Sequence, residues 1–518
     1  MEAGLKNKTI ASLLWKTLER FGAKMIQFVV SIVLARILLP EDFGVVALLT
    51  VFIEIATVFV QNGFSAALIQ QKEIDNTDYN TAFWSSLFIS IVVYAVIFII
   101  APYVANYYEI PILNPLLRVL GTMIVVGSFN SVQISYLRRN LEFKKLFICS
   151  MGATVLSGAV GIAMAYLDFG VWALIAQQLG SVVLTTISMI FVVKWKVKFE
   201  FSTKKMKKMF NFGWKLLLSG LLDAVYNNLY TIIIGKKYTK DDLAYFNKAK
   251  QFPSVIVENI NGALIAVMFP VMSRMQDDIA RLKEATRSTL KLSCYIVFPM
   301  MVGLAVCAEP IISIVLTDKW LPAVPFLQMW AVVFAFFPLA SINLQVYNAL
   351  GKSSVFLWLE IAKKIIGVTV LFVTLKYGLI WMMVGKIAVT VLSSVINAFP
   401  NKKYLKYGYL QQLLDLTPTI LLSAAMGAGV WAFSLIPMNI YAKLVLEILL
   451  GVAIYVGLSY IFKIESFRII LNTIKAKLVK KQTSENETAV EKAEDNNIEN
   501  DATDNSNQAA VGENNETD

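Results

Sequence analysis

The 518-residue sequence contains no histidine. That absence excludes a histidine-based acyltransferase, a histidine proton relay and any metal site of the usual imidazole kind. Cysteine is scarce as well. Cys149, Cys294 and Cys307 have neither paired nor metal-ligand spacing and fall in or beside apolar stretches, so they read as packing residues. Charged residues make up only 16% of the chain against 57% hydrophobic ones, and mean hydropathy is +0.62, outside the range of a soluble globular protein. Alternating β-barrel patterning is missing. So is a compact cleavable leader: Lys6 and Lys8 precede the first apolar stretch, but that stretch is long and interrupted by charge.

What the chain has in abundance is apolar length. A bilayer core of about 30 Å takes roughly 20 apolar residues per helix. Fourteen such stretches run approximately 12–36, 43–66, 80–102, 115–137, 145–167, 170–193, 209–234, 244–270, 288–316, 323–349, 354–376, 378–399, 413–436 and 440–462. They predict an all-α membrane protein with about 14 transmembrane helices. Bases collect on alternate connections: Arg138, Arg139, Lys144 and Lys145; seven lysines from Lys194 to Lys208; Arg274, Arg281, Lys283 and Arg287; and Lys402, Lys403 and Lys406. The opposite turns at 103–114, 167–170 and 437–439 have none. By the positive-inside rule both termini are cytoplasmic, and an even span count agrees. Lys236, Lys237 and Lys240 break the pattern; either Asp241 and Asp242 offset them or they line an external vestibule.

The chain divides into an N-terminal lobe at 1–193 (spans one to six), a cytoplasmic amphipathic linker at 194–208 and a C-terminal lobe at 209–399 (spans seven to twelve). Spans thirteen and fourteen follow at 400–462, then a basic cytoplasmic segment at 463–481 and a tail at 482–518. Residues 203–215 (TKKMKKMFNFGWK) read as an amphipathic helix on the inner membrane surface, burying Met206, Met209, Phe210 and Trp214 in the interface. The tail sets eleven acids against Lys492 and has almost no large apolar side chain, so it cannot offset its ordering entropy and should be disordered. The second lobe weakly echoes the first. Trp15-Lys16 recurs as Trp214-Lys215, Asp42-Phe43-Gly44 as Asp242-Leu243-Ala244, and Asn62-Gly63 as Asn261-Gly262, at offsets of 199 or 200 residues. Parallel repeats place a transporter's site between its lobes; chance similarity between apolar stretches is the competing explanation.

Several spans carry cations near their middles, where an ionised side chain costs roughly 2.5–3.5 kcal/mol and normally faces a polar cavity or a partner. Lys16, Arg20 and Lys24 are spaced i, i+4, i+8 and share one helix face. Arg20 suits bidentate binding of phosphate oxygens and Lys24 acts as a point charge; neutralisation by Glu19 or snorkelling are the alternatives. Lys215, Lys248, Lys250, Lys363, Lys364 and Lys386 are the corresponding cations of the second lobe. For these lysines an internal salt bridge, such as Glu360 with Lys363 or Lys364, competes with ligand contact. Together they point to a conduit for something large and anionic. Glu54, Asp223 and Glu258 are the buried acids available for coupling to protons or sodium, with pairing to lysines as the structural alternative. Pro253, Pro270, Pro299, Pro310 and Pro338 are candidate hinges.

The opening stretch goes beyond hydropathy. A first span ending ARILLPEDFG (Ala35–Gly44), a second ending NGFSAALIQ (Asn62–Gln70) and YLRRNLEFKKL (Tyr136–Leu146) after the fourth carry a family likeness. They resemble the Wzx-type polysaccharide flippases of the MATE-like multidrug/oligosaccharidyl-lipid/polysaccharide superfamily, in particular the colanic-acid and teichuronic-acid exporter branch. The likeness covers the membrane domain and not the tail. It implies two pseudo-symmetric lobes around a central cavity and no catalytic residues. It also implies alternating access that moves an undecaprenyl-pyrophosphate-linked oligosaccharide from the inner to the outer leaflet of the bacterial cytoplasmic membrane, for capsule, O-antigen or related surface polysaccharide. The expected partners are that lipid-linked glycan, the lipid bilayer, and a polysaccharide polymerase with other assembly proteins. No cofactor, no metal and no nucleic acid are expected, while coupling to an H+ or Na+ gradient stays open. A drug or ion antiporter of the same superfamily is the nearest rival, but intramembrane lysines and arginine would repel cationic drugs. A membrane polymerase or glycosyltransferase is the rival of another class. Against it, the longest loop, Lys194–Lys208, is basic and amphipathic and holds no acidic metal-binding cluster.

Overall fold

The computed structural model describes residue 15, residues 22–61, 68 and 71, and residues 74–472. Among the described residues the regular elements are all helical. Helix α1 (22–37) and α2 (Pro40–Gln61) are followed by α3 (Asn76–Tyr108), α4 (Leu113–Arg139), α5 (Phe143–Tyr166) and α6 (Val171–Val192). An extended strap at 193–202 leads to α7 (Thr203–Lys237) and α8 (Lys240–Arg274). Then come α9 (Ile279–Val306), α10 (Ala308–Leu316), a 3-10 turn at Asp318–Ala323, α11 (Val324–Ala335) and α12 (Phe337–Ala349). The last are α13 (Ser353–Thr374), α14 (Leu379–Ala398), the single turn α15 (Asn401–Tyr404), α16 (Tyr409–Ser434) and α17 (Ile440–Ile461).

In hydrocarbon every backbone amide must be satisfied within its own segment, so long apolar runs become helices and polar residues mark their ends. Asp75 and Asp78 form a capping box at the start of α3, and Thr239 and Asp242 form one at α8. Glu109, at φ 59°, ends α3 in the left-handed conformation.

Twelve of the described helical segments are long and apolar enough to cross a membrane, against fourteen expected. The other two have different reasons. The first span is described only from residue 22, and Arg20 lies outside the described residues. Helix α13 is 22 residues long but carries Glu360, Lys363 and Lys364 near its middle. Two expected spans are also broken: 288–316 at Cys307 and 323–349 at Phe336. Pro310 and Pro338 follow those breaks in the first turns of α10 and α12, where proline's missing amide costs nothing. Pro253, Pro270 and Pro299 lie inside α8 and α9. Residues 203–215 are no separate surface helix; they are the first turns of the continuous 35-residue α7. Asn62-Gly63 and the tail lie outside the described residues.

The chain forms one compact unit ending at Val452 and another beginning at Ala453. Within the first, α2 packs against α7 and α8. Glycine makes this approach possible: a Cβ added to Gly44 would lie 2.0 Å from the Lys240 carbonyl oxygen, and one on Gly235 2.3 Å from Leu48 Cδ2. The two helix starts that echo in sequence, at Asp42 and Asp242, therefore lie side by side. One apolar core runs through Leu34, Leu48, Leu117, Phe246, Trp320 and Leu339. A smaller one, around Tyr79, Phe83, Leu146, Met189 and Trp195, lies beneath the strap.

Candidate functional site: a lysine-lined cavity

Ser31 of α1, Glu54 of α2, Asn228 of α7 and Asn247, Lys248, Lys250 and Gln251 of α8 line one cavity of about 430 Å³. Lys248 is only 4% exposed. Its ammonium donates to the Ser31 carbonyl (2.9 Å) and hydroxyl (2.6 Å) and lies 4.7 Å from the centre of the Phe43 ring. A buried charge must be solvated by the protein, and here a carbonyl, a hydroxyl and a ring face serve in place of a carboxylate. The same bonds tie α1 to α8. Lys250 lies 5.4 Å over the Trp330 ring, and Lys386 of α14 lies 5.1 Å over Tyr230. These two lysines are close enough to act on each other, and Lys250 also feels Glu54 and Glu258. Among the described residues neither forms a carboxylate ion pair. Glu54 accepts from Asn228 Nδ2 (2.8 Å), and Thr231 donates to Asn247 Oδ1 (3.2 Å), so the polar wall is built chiefly of neutral amides and hydroxyls.

The other expected site residues are placed differently. Lys24 pairs with Glu258 at 3.3 Å, their side chains 45% and 40% exposed. Lys363 turns to Glu360 on its own helix (2.5 Å), and Lys364 pairs with Asp223 of α7. Lys215 is exposed near the start of the seventh span, 6.0 Å from the Trp214 ring. None of the three expected acids is buried: Asp223 and Glu258 are half-exposed partners of lysines, and Glu54 is exposed where it lines the cavity. Sequence reasoning missed Ser31, Asn228, Asn247 and Gln251. A cluster of amides within otherwise apolar spans, Asn227-Asn228 and Asn247 to Gln251, is the signal that would have found them. The rings of Trp330 and Tyr230 carry no such signal.

Near Phe43 and Ala244, helix ends are tied together. Lys319 donates to the carbonyls of Arg36 (2.9 Å) and Leu38 (2.7 Å), and Trp320 Nε1 to that of Ala35 (2.9 Å). Arg36 in turn donates to the Ile314 carbonyl (2.9 Å). Lys236 reaches the Tyr107 carbonyl (2.6 Å) and Glu109 (2.8 Å), holding the exposed Glu109 carboxyl below its ordinary value. Lys237 reaches the Leu375 carbonyl (2.5 Å), and Lys240 pairs with Glu41 (3.5 Å). Cations thus sit on the C-terminal carbonyls of α1, α3, α10 and α13, where the helix dipole favours them. Of the two acids expected to offset these lysines, Asp241 acts on Lys240, while Asp242 closes a capping box with Thr239; Lys236 and Lys237 are met by carbonyls and Glu109 instead.

The family described as polysaccharide biosynthesis protein matches residues 33–325. The succinoglycan biosynthesis transport protein ExoT of Rhizobium meliloti (strain 1021) is 25% identical over 344 residues, covering 66% of this chain and 70% of that one. The teichuronic acid biosynthesis protein TuaB of Bacillus subtilis (strain 168) is 26% identical over 422 residues, covering 79% and 85%. The lipopolysaccharide biosynthesis protein WzxC of Escherichia coli (strain K12) is 23% identical over 434 residues, covering 82% and 88%. In fold, the chain is similar to the lipid II flippase MurJ in an inward closed conformation, with a TM-score of 0.70, 17% identity and coverage of 88% of this chain and 100% of that one. An inward-facing MATE-family multidrug transporter of the MOP superfamily superposes with a TM-score of 0.60, 16% identity and coverage of 77% and 99%. The chain belongs to the polysaccharide biosynthesis protein family, and it is a membrane transport protein with a MurJ/MATE-like fold rather than an enzyme.

Proposed function

We propose that this chain translocates an undecaprenyl-pyrophosphate-linked oligosaccharide from the inner to the outer leaflet of a bacterial cytoplasmic membrane, by alternating access. The observation that carries this reading is the cavity lined by Lys248 and Lys250 among amides and hydroxyls, with Lys250 over the Trp330 ring and Lys386, over Tyr230, close enough to act on Lys250. Neither Lys250 nor Lys386 forms a carboxylate ion pair among the described residues, so a pyrophosphate would match their charge, and away from bulk water such an attraction is stronger than at an exposed surface. The cavity volume suits a headgroup, while the polyprenyl chain stays in lipid. The same positive charge disfavours cationic drugs, the cargo of the rival reading.

The tied helix ends near Phe43, with the half-exposed Lys24–Glu258 pair elsewhere on the pathway, support an inward-facing state. On the charge pattern, with both termini cytoplasmic, the tied side is the outer one. Transport then requires the ties to break while the cavity closes from within. Glu54 is the cavity acid available for proton or sodium coupling, and a polymerase that consumes the translocated unit is the expected partner. The test is mass spectrometry of lipid-linked oligosaccharides, with a leaflet-specific accessibility assay, in a strain lacking the gene. The complete unit should accumulate on the inner leaflet and be cleared by wild type but not by K250Q/K386Q. Normal arrival at the outer leaflet without the gene, in a strain with no second flippase, would overturn the reading.

A further inference from the structure

Residues 193–202 leave α6 and run extended to α7 as a strap that is pinned along its length. Lys198 N donates to Asn80 Oδ1 (3.1 Å) and Ser202 N to Thr81 Oγ1 (3.1 Å), while Trp84 Nε1 donates to the Lys198 carbonyl (3.0 Å). Thr77 and Asn80 donate to Glu200 (3.3 and 3.2 Å). Asn80 and Thr81 are fully buried, so the start of α3 is the template on which the strap is laid. Trp195 turns inward against Tyr79 and Phe83. Lys194, Lys196 and Lys198 are left pointing away from the protein.

Apolar groups are held out beside them. Phe199 stacks on Trp84 (4.7 Å between ring centres) and yet is 94% exposed; Phe191, in the last turn of α6, is 83% exposed. Lys204, Lys207 and Lys208 stand exposed on the first turns of α7. Among the described residues none of these six lysines pairs with a carboxylate, whereas Lys205 does, with Asp75 and Asp78. Rings fixed outward and unpaired ammoniums, on a segment between two spans, match a membrane interface. There the rings lie among the upper acyl carbons and the ammoniums meet phosphates.

We infer that the strap is a binding surface for anionic phospholipid headgroups on its side of the membrane. The other candidate of the right charge is the chain's own acidic tail, 482–518, but it has almost no apolar side chains with which to cover Phe199 and Phe191. The inference does not depend on what the cavity carries.

The test uses the purified full-length protein in detergent, titrated with phosphatidylglycerol or with zwitterionic phosphatidylcholine and read by native mass spectrometry. Each near-surface lysine is worth about fivefold in affinity for anionic lipid. Wild type should therefore retain phosphatidylglycerol in preference, and K194Q/K196Q/K198Q should reduce that preference by about tenfold or more. K194R/K196R/K198R should keep it, which separates charge from folding, and removal of 482–518 should leave it unchanged. Equal retention of the two lipids by wild type, an undiminished preference in the glutamine variant, a loss in the arginine variant, or binding that appears only once the tail is removed would each overturn the inference.

Discussion

Replacing Trp320 by alanine should open the tied side of the cavity. The indole has no exposed surface, packs edge-on against Phe43 (5.4 Å) and Tyr245 (5.9 Å), and donates to the Ala35 carbonyl at the end of α1. Truncating a buried tryptophan costs about 3–5 kcal/mol where the surroundings cannot collapse. These contacts join α1 and α2 to α8 and the 318–323 turn, elements that must separate if that side opens. The loss therefore falls on one state of the cycle. Even a third of it, about 1.4 kcal/mol, shifts the ratio of states about tenfold. Trp320→Phe keeps the ring contacts and removes the hydrogen bond, about 1 kcal/mol, so its effect should be smaller, about fivefold. The assay is labelling by a membrane-impermeant maleimide, applied from the outside, of a reporter cysteine at Thr50, which lines the cavity. The native cysteines are all buried and can stay. Labelling should rise in the order wild type, W320F, W320A. If W320A lowers the melting temperature and leaves outside labelling unchanged, Trp320 packs equally in both states and the tie is no gate.

Two further perturbations probe the same framework. Gly44→Ala puts a methyl group 2.0 Å from a backbone oxygen, which cannot move aside, whereas Gly235→Ala meets the flexible end of Leu48 at 2.3 Å. Overpacking costs typically about 1–3 kcal/mol, so G44A should melt clearly below G235A; equal melting temperatures would show that the helices separate freely. Lys205 hydrogen bonds hold the Asp75 carboxyl at about 2, below its unfolded value. The resulting stability is present above the unfolded pKa of about 3.9 and is lost as pH falls through about 2. With the Asp75 side chain 63% exposed, screening keeps the contribution under about 1 kcal/mol. The small melting difference between wild type and D75N should shrink between about pH 4 and pH 2, and a difference unchanged at pH 2 would contradict the pairing.

The membrane architecture is legible because hydrocarbon leaves an apolar run few choices, and α6 and α17 begin and end close to where polarity changes. Boundaries fail where tertiary packing makes them. Nothing local at Cys307 or Phe336 announces a break except the prolines that follow. Conversely, the lysine-rich start of α7 suggests a separate element, yet a change in polarity does not interrupt hydrogen bonding, and the helix continues. Mid-span charge picks out Lys248, Lys250 and Lys386 but cannot sort them from Lys363 and Lys364. Glu360 is visible one turn from Lys363; Asp223, which satisfies Lys364, lies on another helix and 141 residues away. Trp330 and Tyr230 are equally remote from the lysines they face.

What distinguishes these cations is the atom opposite each one. Lys236, Lys237 and Lys319 end on C-terminal carbonyls, which carry roughly half a negative charge between them, and Lys236 adds Glu109. That contact offsets the cost of placing three lysines against the positive-inside pattern, and charge counting, which sees only acids nearby in sequence, could not find it for Lys236 and Lys237. Lys24, Lys363 and Lys364 meet carboxylates and are neutral as pairs. Lys250 and Lys386 meet ring faces, an attraction of about 0.5–2 kcal/mol that holds an ammonium in place without cancelling its charge. Of the three arrangements, the last leaves an anion something to bind. A helical bundle can therefore carry many intramembrane cations as fasteners, and its cargo is read from the few whose partners are soft and neutral.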